Sequence, residues 1–191
     1  MRDMSAVATS VIHITGASGC GVTTLGRALA GALGSVHIDA DDFFWVPTDP
    51  PYIQKRDRTV RVEILGEQIR ASEERGCVLS GSILDWGDSF IPLFHLVVFL
   101  SVPAAIRLQR LKAREAARFG ARIQPGGDLY KTHLAFLEWA DGYDDGNGDG
   151  RTRERHEKWL AQIGARVLRL DGTIPSEELV QYVLRRIQTI A

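Results

Sequence analysis

A glycine-rich stretch near the N-terminus constrains the fold more strongly than any other part of the sequence. It has the sequence Gly16-Ala-Ser-Gly-Cys-Gly21-Val-Thr-Thr24 and comes directly after an apolar run, 11–15, that is typical of a β-strand. A predicted helix over 23–33 follows. Glycines let successive backbone N–H groups point inward at an anion, and a helix N-terminus adds a partial positive charge. Strand, loop and helix in this order predict a phosphate-binding loop; the alternative is a glycine-rich turn that binds no ligand.

The loop follows the pattern G-x-x-x-x-G-K-[ST] except at the lysine. Thr23 stands where a hydroxyl would bind Mg²⁺, and Val22 stands where the lysine would reach the terminal phosphates of a nucleotide. Because valine donates no hydrogen bond, the sequence supports nucleotide binding better than catalysis; losing one such donor can cost about 10²–10³ in rate. We expect an arginine from another element to compensate. The residues expected to contact the nucleotide are Gly16, Ala17, Ser18, Gly19, Cys20, Gly21, Val22, Thr23 and Thr24.

The size and charge of the chain exclude several classes of protein. Its 191 residues fit one domain, so we expect a single domain over 1–191. With 23 basic and 24 acidic residues the net charge is −1, which argues against nucleic acid as a partner, and no apolar run is long enough to predict a membrane span. Two cysteines, Cys20 and Cys77, favour reduced thiols in a cytoplasmic protein over a disulfide. The sequence leaves the oligomeric state open.

Positive charge is concentrated in one segment. Between 104 and 122, six basic residues accompany a single acidic one, and because only four of the chain's 23 basic residues are lysine, 19 are arginine. Arginine suits planar recognition of phosphate or carboxylate. Arg107, Arg110 and Arg114 are spaced three and four apart, so a helix would place them on one face. That face either contacts an anionic ligand or is solvated.

Short apolar runs alternate with longer amphipathic stretches along the chain. This alternation predicts an α/β fold, a parallel sheet with helices on both faces. The segment 119–150 is too long for an ordinary connection, so we interpret it as a lid with one helix and an acidic glycine-rich loop. The predicted strands are 11–15, 36–39, 77–80, 96–100 and 166–170, and the predicted helices are 23–33, 57–75, 103–118, 129–140, 152–163 and 176–190.

An acidic motif, His37-Ile-Asp39-Ala-Asp41-Asp42, ends the second predicted strand. Because side chains alternate along a strand, His37, Asp39 and Asp41 are expected on one side. They would lie at the carboxyl end of the strand, where open α/β sheets bind ligands. A carboxylate there can orient an acceptor hydroxyl and accept its proton, or hold Mg²⁺ through water. The alternative is a capping or solvated acidic turn, in which Asp42 caps the next segment.

With the turn Asp171-Gly-Thr-Ile-Pro175 after the last strand, these motifs make the chain resemble the small P-loop kinases: nucleoside monophosphate kinases, shikimate and gluconate kinases, and adenylate-kinase-like proteins. The resemblance covers nearly the whole chain. It implies a five-stranded sheet in the order 2-3-1-4-5, an acceptor-binding segment at about 43–75 and a lid at about 119–150. At the end of the third strand, where many members have an aspartate, this chain has Ser80.

The resemblance implies an ATP-dependent phosphotransferase that acts on a small molecule or nucleotide. Its cofactors would be ATP, or another nucleoside triphosphate, and Mg²⁺. Thr23 and Asp39 would hold the metal, and Asp39 or Asp41 would position the acceptor. Arg110 and Arg114 would act on the phosphoryl group during transfer.

The nucleotide itself would meet Arg107 and the backbone of Gly172 and Thr173 in such a kinase. Two departures, Val22 and Ser80, keep other functions open. One alternative is a nucleotide-binding protein without catalysis, such as a sensor, and another is a slow nucleotide hydrolase.

The acceptor-binding segment combines aromatic and basic residues. Phe43-Phe-Trp45 is followed by four basic residues, Lys55, Arg56, Arg58 and Arg61. This composition suits a flat or anionic acceptor, and it equally suits a local core with a basic rim.

Overall fold

A sheet of five parallel strands forms the centre of the molecule, in the order β2-β3-β1-β4-β5. The computed structural model describes residues 11–146, 150–163 and 166–190. The strand order and the parallel pairing confirm the predicted fold. The strands are β1 (Val11–Gly16), β2 (Val36–Asp39), β3 (Cys77–Ser80), β4 (Phe94–Ser101) and β5 (Val167–Asp171).

The helices connect successive strands, as a parallel sheet requires. The sequence predicts six of them but neither α2 nor the 3₁₀ segments Asp88–Leu93 and Gly120–Ile123, which are too short to show a helical period. None of the helices in the described ranges combines the length and apolar character of a membrane span. The α-helices are α1 (Val22–Leu33), α2 (Ala40–Phe44), α3 (Arg58–Ala71), α4 (Ala104–Phe119), α5 (Tyr130–Asp141), α6 (Arg153–Ile163) and α7 (Ser176–Ile190).

Helices cover both faces of the sheet. Leu25 and Leu29 of α1 pack with Val183 of α7 on one face. On the other face, Leu65 of α3 and Trp159 of α6 pack against the sheet. Because the faces are buried, the carboxyl ends of the strands are where the chain can form a ligand site.

A hairpin connects α2 to α3 within the predicted acceptor-binding segment. The Val46 N–H donates to the Gln54 carbonyl at 2.9 Å, which closes the hairpin. At its tip, the Tyr52 hydroxyl accepts a hydrogen bond from Arg118 at the end of α4. Asp49 forms a 2.9 Å ion pair with Arg122. The hairpin therefore contacts the start of the segment predicted to be the lid.

The predicted lid, 119–150, contains the 3₁₀ segment, then α5 and a series of turns up to 146. Its helix was expected at 129–140 and is found one residue later. Residues 147–149, in the acidic loop, lie outside the described residues. The C-terminal part of the segment is tied to α4, because Arg107 donates to the Ala140 carbonyl and to the Asp144 carboxylate.

Candidate nucleotide and acceptor site

The glycine loop is the tight connection between β1 and α1. Gly19 (φ 85°) and Gly21 (φ 91°) both have left-handed backbone that favours glycine. A Cβ on Gly19 would lie 2.7 Å from the Arg107 carbonyl oxygen, so packing requires this glycine. By contrast, among the described residues no heavy atom beyond its chain neighbours lies within 4 Å of the position that a Cβ would take on Gly21, the N-cap of α1. This open space in front of the helix N-terminus fits a phosphate group.

The side chains of the loop divide into packed and accessible ones. Ala17 and Cys20 are buried in the core on the α1–α7 face. Burial raises the pKa of the Cys20 thiol, so this cysteine is a packing residue and not an activated nucleophile. Ser18 is partly buried and Thr24 is exposed. A ligand in the loop would therefore meet backbone N–H groups and the Ser18 hydroxyl.

The structure brings Thr23 and Asp39 together as predicted for a metal site. The Thr23 hydroxyl donates a 3.0 Å hydrogen bond to Asp39 Oδ2, from the first turn of α1 to the end of β2. Hydroxyl and carboxylate oxygens suit Mg²⁺, which binds proteins through one or two such groups and keeps several waters. Within the described residues there is no cluster of three His, Cys, Asp or Glu side chains that could hold a metal. The pair thus fits Mg²⁺ bound mainly by nucleotide and water.

Asp41 lies on α2, and the expectation that it continues β2 beside Asp39 is wrong. The Asp39 side chain caps α2 by accepting from the Asp41 N–H at 3.1 Å, so the strand ends and the alternation of side chains stops there. The pKa of Asp41 is raised, first by loss of hydration and then by the Asp39 carboxylate. The charges of Arg151 and Arg114 oppose this shift, and Asp41 itself is exposed. A carboxylate with a raised pKa is a better proton acceptor.

Ser80 is the last residue of β3, and its side chain contacts His37 of β2. The Ser80 hydroxyl and His37 Nε2 form a 2.9 Å hydrogen bond, and Ser80 is fully buried. α1 approaches this pair closely, since a Cβ on Gly26 would lie 2.9 Å from His37 Nε2. The pair fills the place at which many P-loop kinases have an aspartate.

Arg107 is a structural residue, which corrects the prediction that it contacts the nucleotide. It is fully buried. Its guanidinium donates to the Val102 and Ala140 carbonyls, both at 3.1 Å, and to Asp144 at 2.5 Å. An arginine with three internal partners and no exposed surface cannot stack on a base.

The turn after β5 packs against the glycine loop. A Cβ on Gly172 would lie 2.8 Å from the Cys20 carbonyl oxygen. The Gly172 N–H donates to Ser101 and its carbonyl accepts from Arg110 at 2.9 Å, while the Thr173 N–H donates to Asp171. The predicted contact of this turn with a nucleotide base stays a prediction, although several of its backbone groups already have partners.

Arg114 and Arg110 lie on the exposed side of α4. The Arg114 side chain is 54% exposed and pairs with Glu115 at 2.9 Å. Its guanidinium also lies over Phe136 of α5, 5.9 Å from the ring centroid. Arg114 therefore contacts α5 of the predicted lid, and its catalytic role remains a prediction.

Arg151 belongs to the site, although the sequence analysis did not single it out. Its Nη2 donates a 2.6 Å hydrogen bond to the Ser18 hydroxyl of the glycine loop. Its guanidinium lies over Trp139 of α5 at 5.1 Å from the ring centroid. The signal available in the sequence was a basic residue directly after the lid, but nothing local links it to Ser18.

A cluster of rings and guanidinium groups forms the wall on the acceptor side. Phe44 contacts Trp45 and Trp86 edge-on. The Arg61 guanidinium lies 4.0 Å from the centroid of the Phe44 ring and donates through Nε to the Arg56 carbonyl. No ion pair in the described part of the chain involves Arg61. Trp86 is buried core and Arg61 lies at its rim, which fits the alternative of a local core with a basic rim, while acceptor binding by this segment stays a prediction.

Comparison with known proteins identifies the family. No family profile matches the sequence. The uncharacterized protein YqaC of Bacillus subtilis (strain 168) is 39% identical over 173 residues, which cover 91% of this chain and 94% of YqaC. The chain belongs to the YqaC family. Because the match extends over most of both sequences, we expect YqaC to share the α/β domain described above.

Solved structures show the fold of this YqaC-family chain to be that of P-loop kinases. A shikimate kinase from Acinetobacter baumannii, solved in complex with shikimate, has a TM-score of 0.58 and 18% identity over 98% of each chain. A gluconokinase from Sinorhizobium meliloti 1021 has a TM-score of 0.53 and 20% identity over 96% of this chain and 94% of that one. A shikimate kinase from Bacteroides thetaiotaomicron has a TM-score of 0.56 at 18% identity, over 94% and 98% respectively.

Proposed function

We propose that this YqaC-family protein is a kinase that transfers the terminal phosphoryl group of ATP, or of another nucleoside triphosphate, to a small molecule. The observation that carries the proposal is the 3.0 Å contact between Thr23 and Asp39, which unites the glycine loop with the acidic end of β2. A loop that merely turned the chain would need no carboxylate beside its threonine. Mg²⁺ bound by this pair would supply charge neutralisation at the phosphate oxygens.

Asp41 is the residue that we assign to the acceptor hydroxyl. It lies two residues after Asp39, in the first turn of α2, and its raised pKa favours acceptance of a proton. Arg114, whose charge acts on Asp41, is assigned to the phosphoryl group, where electrostatic stabilisation matters most. The segment 119–150 is assigned as a lid that excludes water from this cleft.

The acceptor is proposed to be small and anionic. Arg61 is held against Phe44 at 4.0 Å, and its terminal nitrogens have no carboxylate partner in the described ranges. A guanidinium fixed in this way suits a carboxylate or phosphate group. The similarity in fold to a shikimate kinase and a gluconokinase, whose named substrates are hydroxy acids, supports the same chemistry.

The test is a screen for ADP release from MgATP with hydroxyl-bearing acceptors, anionic and neutral. We expect an anionic acceptor to give turnover. Thr23→Val and Asp41→Asn should each reduce the rate at least about tenfold, because each removes a polar group that acts on the reacting atoms. Thr189→Val removes a threonine hydroxyl at the end of α7 and should have the wild-type rate. ADP release that no acceptor raises above the rate of hydrolysis would contradict the proposal.

A nucleotide-binding protein without catalysis is the second candidate. Val22 and the Ser80–His37 pair favour it, because the loop lacks its lysine and β3 lacks an acidic end. This candidate predicts that MgATP binds and that no acceptor supports turnover, even in Val22→Lys. A slow nucleotide hydrolase would instead release phosphate without an acceptor.

A further inference from the structure

Val22 leaves the glycine loop without a cation of its own. Its side chain is partly buried and packs against the apolar core on the α1–α7 face. The stretch 16–24 contains no lysine or arginine. Backbone N–H groups can cradle phosphate oxygens, but a triphosphate also requires positive charge for its terminal groups. That charge must come from another element.

Arg110 and Arg114, the arginines that the sequence favours for this task, have partners outside the glycine loop, and the role proposed for Arg114 is at the phosphoryl group during transfer. Arg110 donates to the Gly172 carbonyl at 2.9 Å. Arg114 is paired with Glu115 at 2.9 Å. Neither forms a recorded hydrogen bond to the glycine loop within the described ranges. The cation for the loop has to be sought elsewhere.

Arg151 reaches the loop from the far side of the lid segment. The 2.6 Å hydrogen bond from its Nη2 to Ser18 places the guanidinium against the loop itself. Trp139 supports the flat face of the guanidinium at 5.1 Å, which restricts the side chain's orientation. The group is therefore held in place before any ligand binds.

Within the described residues, Arg151 forms no ion pair with a carboxylate. Its neighbours Arg153 and Arg155, by contrast, pair with Asp144 and Asp85. Burial lowers the pKa of Arg151, and the charge of Arg107 adds to this effect, while Asp41 opposes it. A partly buried guanidinium without an ion pair is suited to bind an anion.

We propose that Arg151 takes the place of the P-loop lysine, binding phosphate oxygens of the nucleotide held in the glycine loop. The inference rests on the proposed nucleotide binding. Arginine can contact phosphate through two parallel N–H groups, so it can replace the point charge of a lysine. The competing explanation is structural: the Arg151–Ser18 hydrogen bond would only fasten the lid segment to the loop.

The two explanations differ in what a lysine at position 22 does. We would measure MgATP affinity by titration calorimetry for the wild type, Arg151→Gln, Val22→Lys and the double variant. Arg151→Gln keeps much of the side chain's bulk but removes its charge. Arg169→Ala is the matched control, because it removes an exposed arginine that pairs with Glu157 away from the site. Circular dichroism would establish that each variant is folded, and Arg151→Lys would be used if Arg151→Gln is not.

If Arg151 replaces the lysine, Arg151→Gln should weaken MgATP binding at least about tenfold, as expected for a lost hydrogen bond to a charged group. Val22→Lys should restore most of that loss in the double variant but add little to the wild type, because both cations serve the same phosphate oxygens. Arg169→Ala should bind like the wild type. If the glutamine variant does not fold, Arg151→Lys should keep binding within about tenfold of the wild type.

Two results would overturn the inference while leaving nucleotide binding intact. One is wild-type MgATP affinity in Arg151→Gln. The other is that Val22→Lys raises the affinity for MgATP equally in the wild type and in Arg151→Gln. That result would mean that the two positions act independently. Failure of the wild type to bind MgATP at millimolar concentration would instead contradict the proposed function, and this inference with it.

Discussion

Gly21 has two properties whose importance for ligand binding a single substitution can test. Its φ of 91° is one that other residues rarely adopt, and the space at its missing side chain is empty. Gly31, in the middle of α1, has equally open space but no positive φ. The same mutation at the two positions therefore tests whether the space beside Gly21 belongs to a ligand.

Gly21→Val should abolish MgATP binding, because the side chain would fill the space that a phosphate requires and strain the N-cap of α1. Gly31→Val should keep wild-type affinity. Titration calorimetry on both variants, with thermal unfolding to confirm that they are folded, is the measurement. Unchanged affinity in a folded Gly21→Val would mean that phosphate does not bind in front of this helix.

At the scale of elements, Arg107 connects α4 with the segment that follows α5. Its side chain is fully buried and bonds to Val102, Ala140 and Asp144, and Asp144 is bonded in turn by Arg153 of α6. Truncating Arg107 would leave a cavity and would leave the Val102 and Ala140 carbonyls without their donor, although Asp144 would keep Arg153, and this is far more costly than breaking a surface pair.

Arg107→Ala is accordingly expected to lower the free energy of unfolding by about 3–5 kcal/mol. Arg169→Ala, which breaks a pair whose side chains are 52% and 41% exposed, should cost at most about 1 kcal/mol. Urea unfolding monitored by tryptophan fluorescence would measure both. If Arg107→Ala lowers the free energy of unfolding no more than Arg169→Ala does, Arg107 would again be a candidate for ligand contact.

At the scale of the whole molecule, folding buries two histidines, His13 and His156, and burial favours their neutral forms. His13 of β1 bonds through Nδ1 to the Leu79 carbonyl at 3.0 Å, and His156 of α6 bonds to the Tyr143 hydroxyl at 2.8 Å. Burial lowers the pKa of His13 to about 4 and that of His156 to about 3, with Arg151 contributing to the latter. In the unfolded chain both would titrate near the ordinary value of about 6.5.

Stability should therefore fall as the pH drops below about 6.5, because the unfolded chain takes up two protons that the folded protein does not accept until about pH 4 and below. Between pH 7 and pH 5 the expected loss is about 2 kcal/mol for each histidine. Urea unfolding at several pH values would measure it. His13→Phe should reduce the slope by about one proton, and an unchanged slope would show that His13 does not contribute.

Local sequence patterns predicted the fold and the glycine loop. They did not predict contacts between residues that are far apart in the sequence. The strands and long helices were placed within a few residues because apolar runs and caps are local signals, as with α7 at 176–190. Asp41 was misplaced because the carboxylate of Asp39 turned an apparent strand into a helix. Helical spacing predicted Arg107, Arg110 and Arg114 on one face, whereas Arg107 is buried and the other two are exposed, because spacing does not reveal which side chains the core takes up. Arg151 was missed because 133 residues separate it from Ser18.

The position of Arg107 has a mechanical consequence. Its main chain lies against Gly19 of the glycine loop, while its guanidinium holds Ala140 and Asp144. The C-terminal end of the proposed lid is thus fixed relative to the glycine loop. Opening of the lid would therefore be a rotation about this end. The end that moves would be the N-terminal end, which contacts the hairpin through Arg118 and Arg122. Arg151, which follows the pivot closely in the chain, would stay beside the loop throughout the swing.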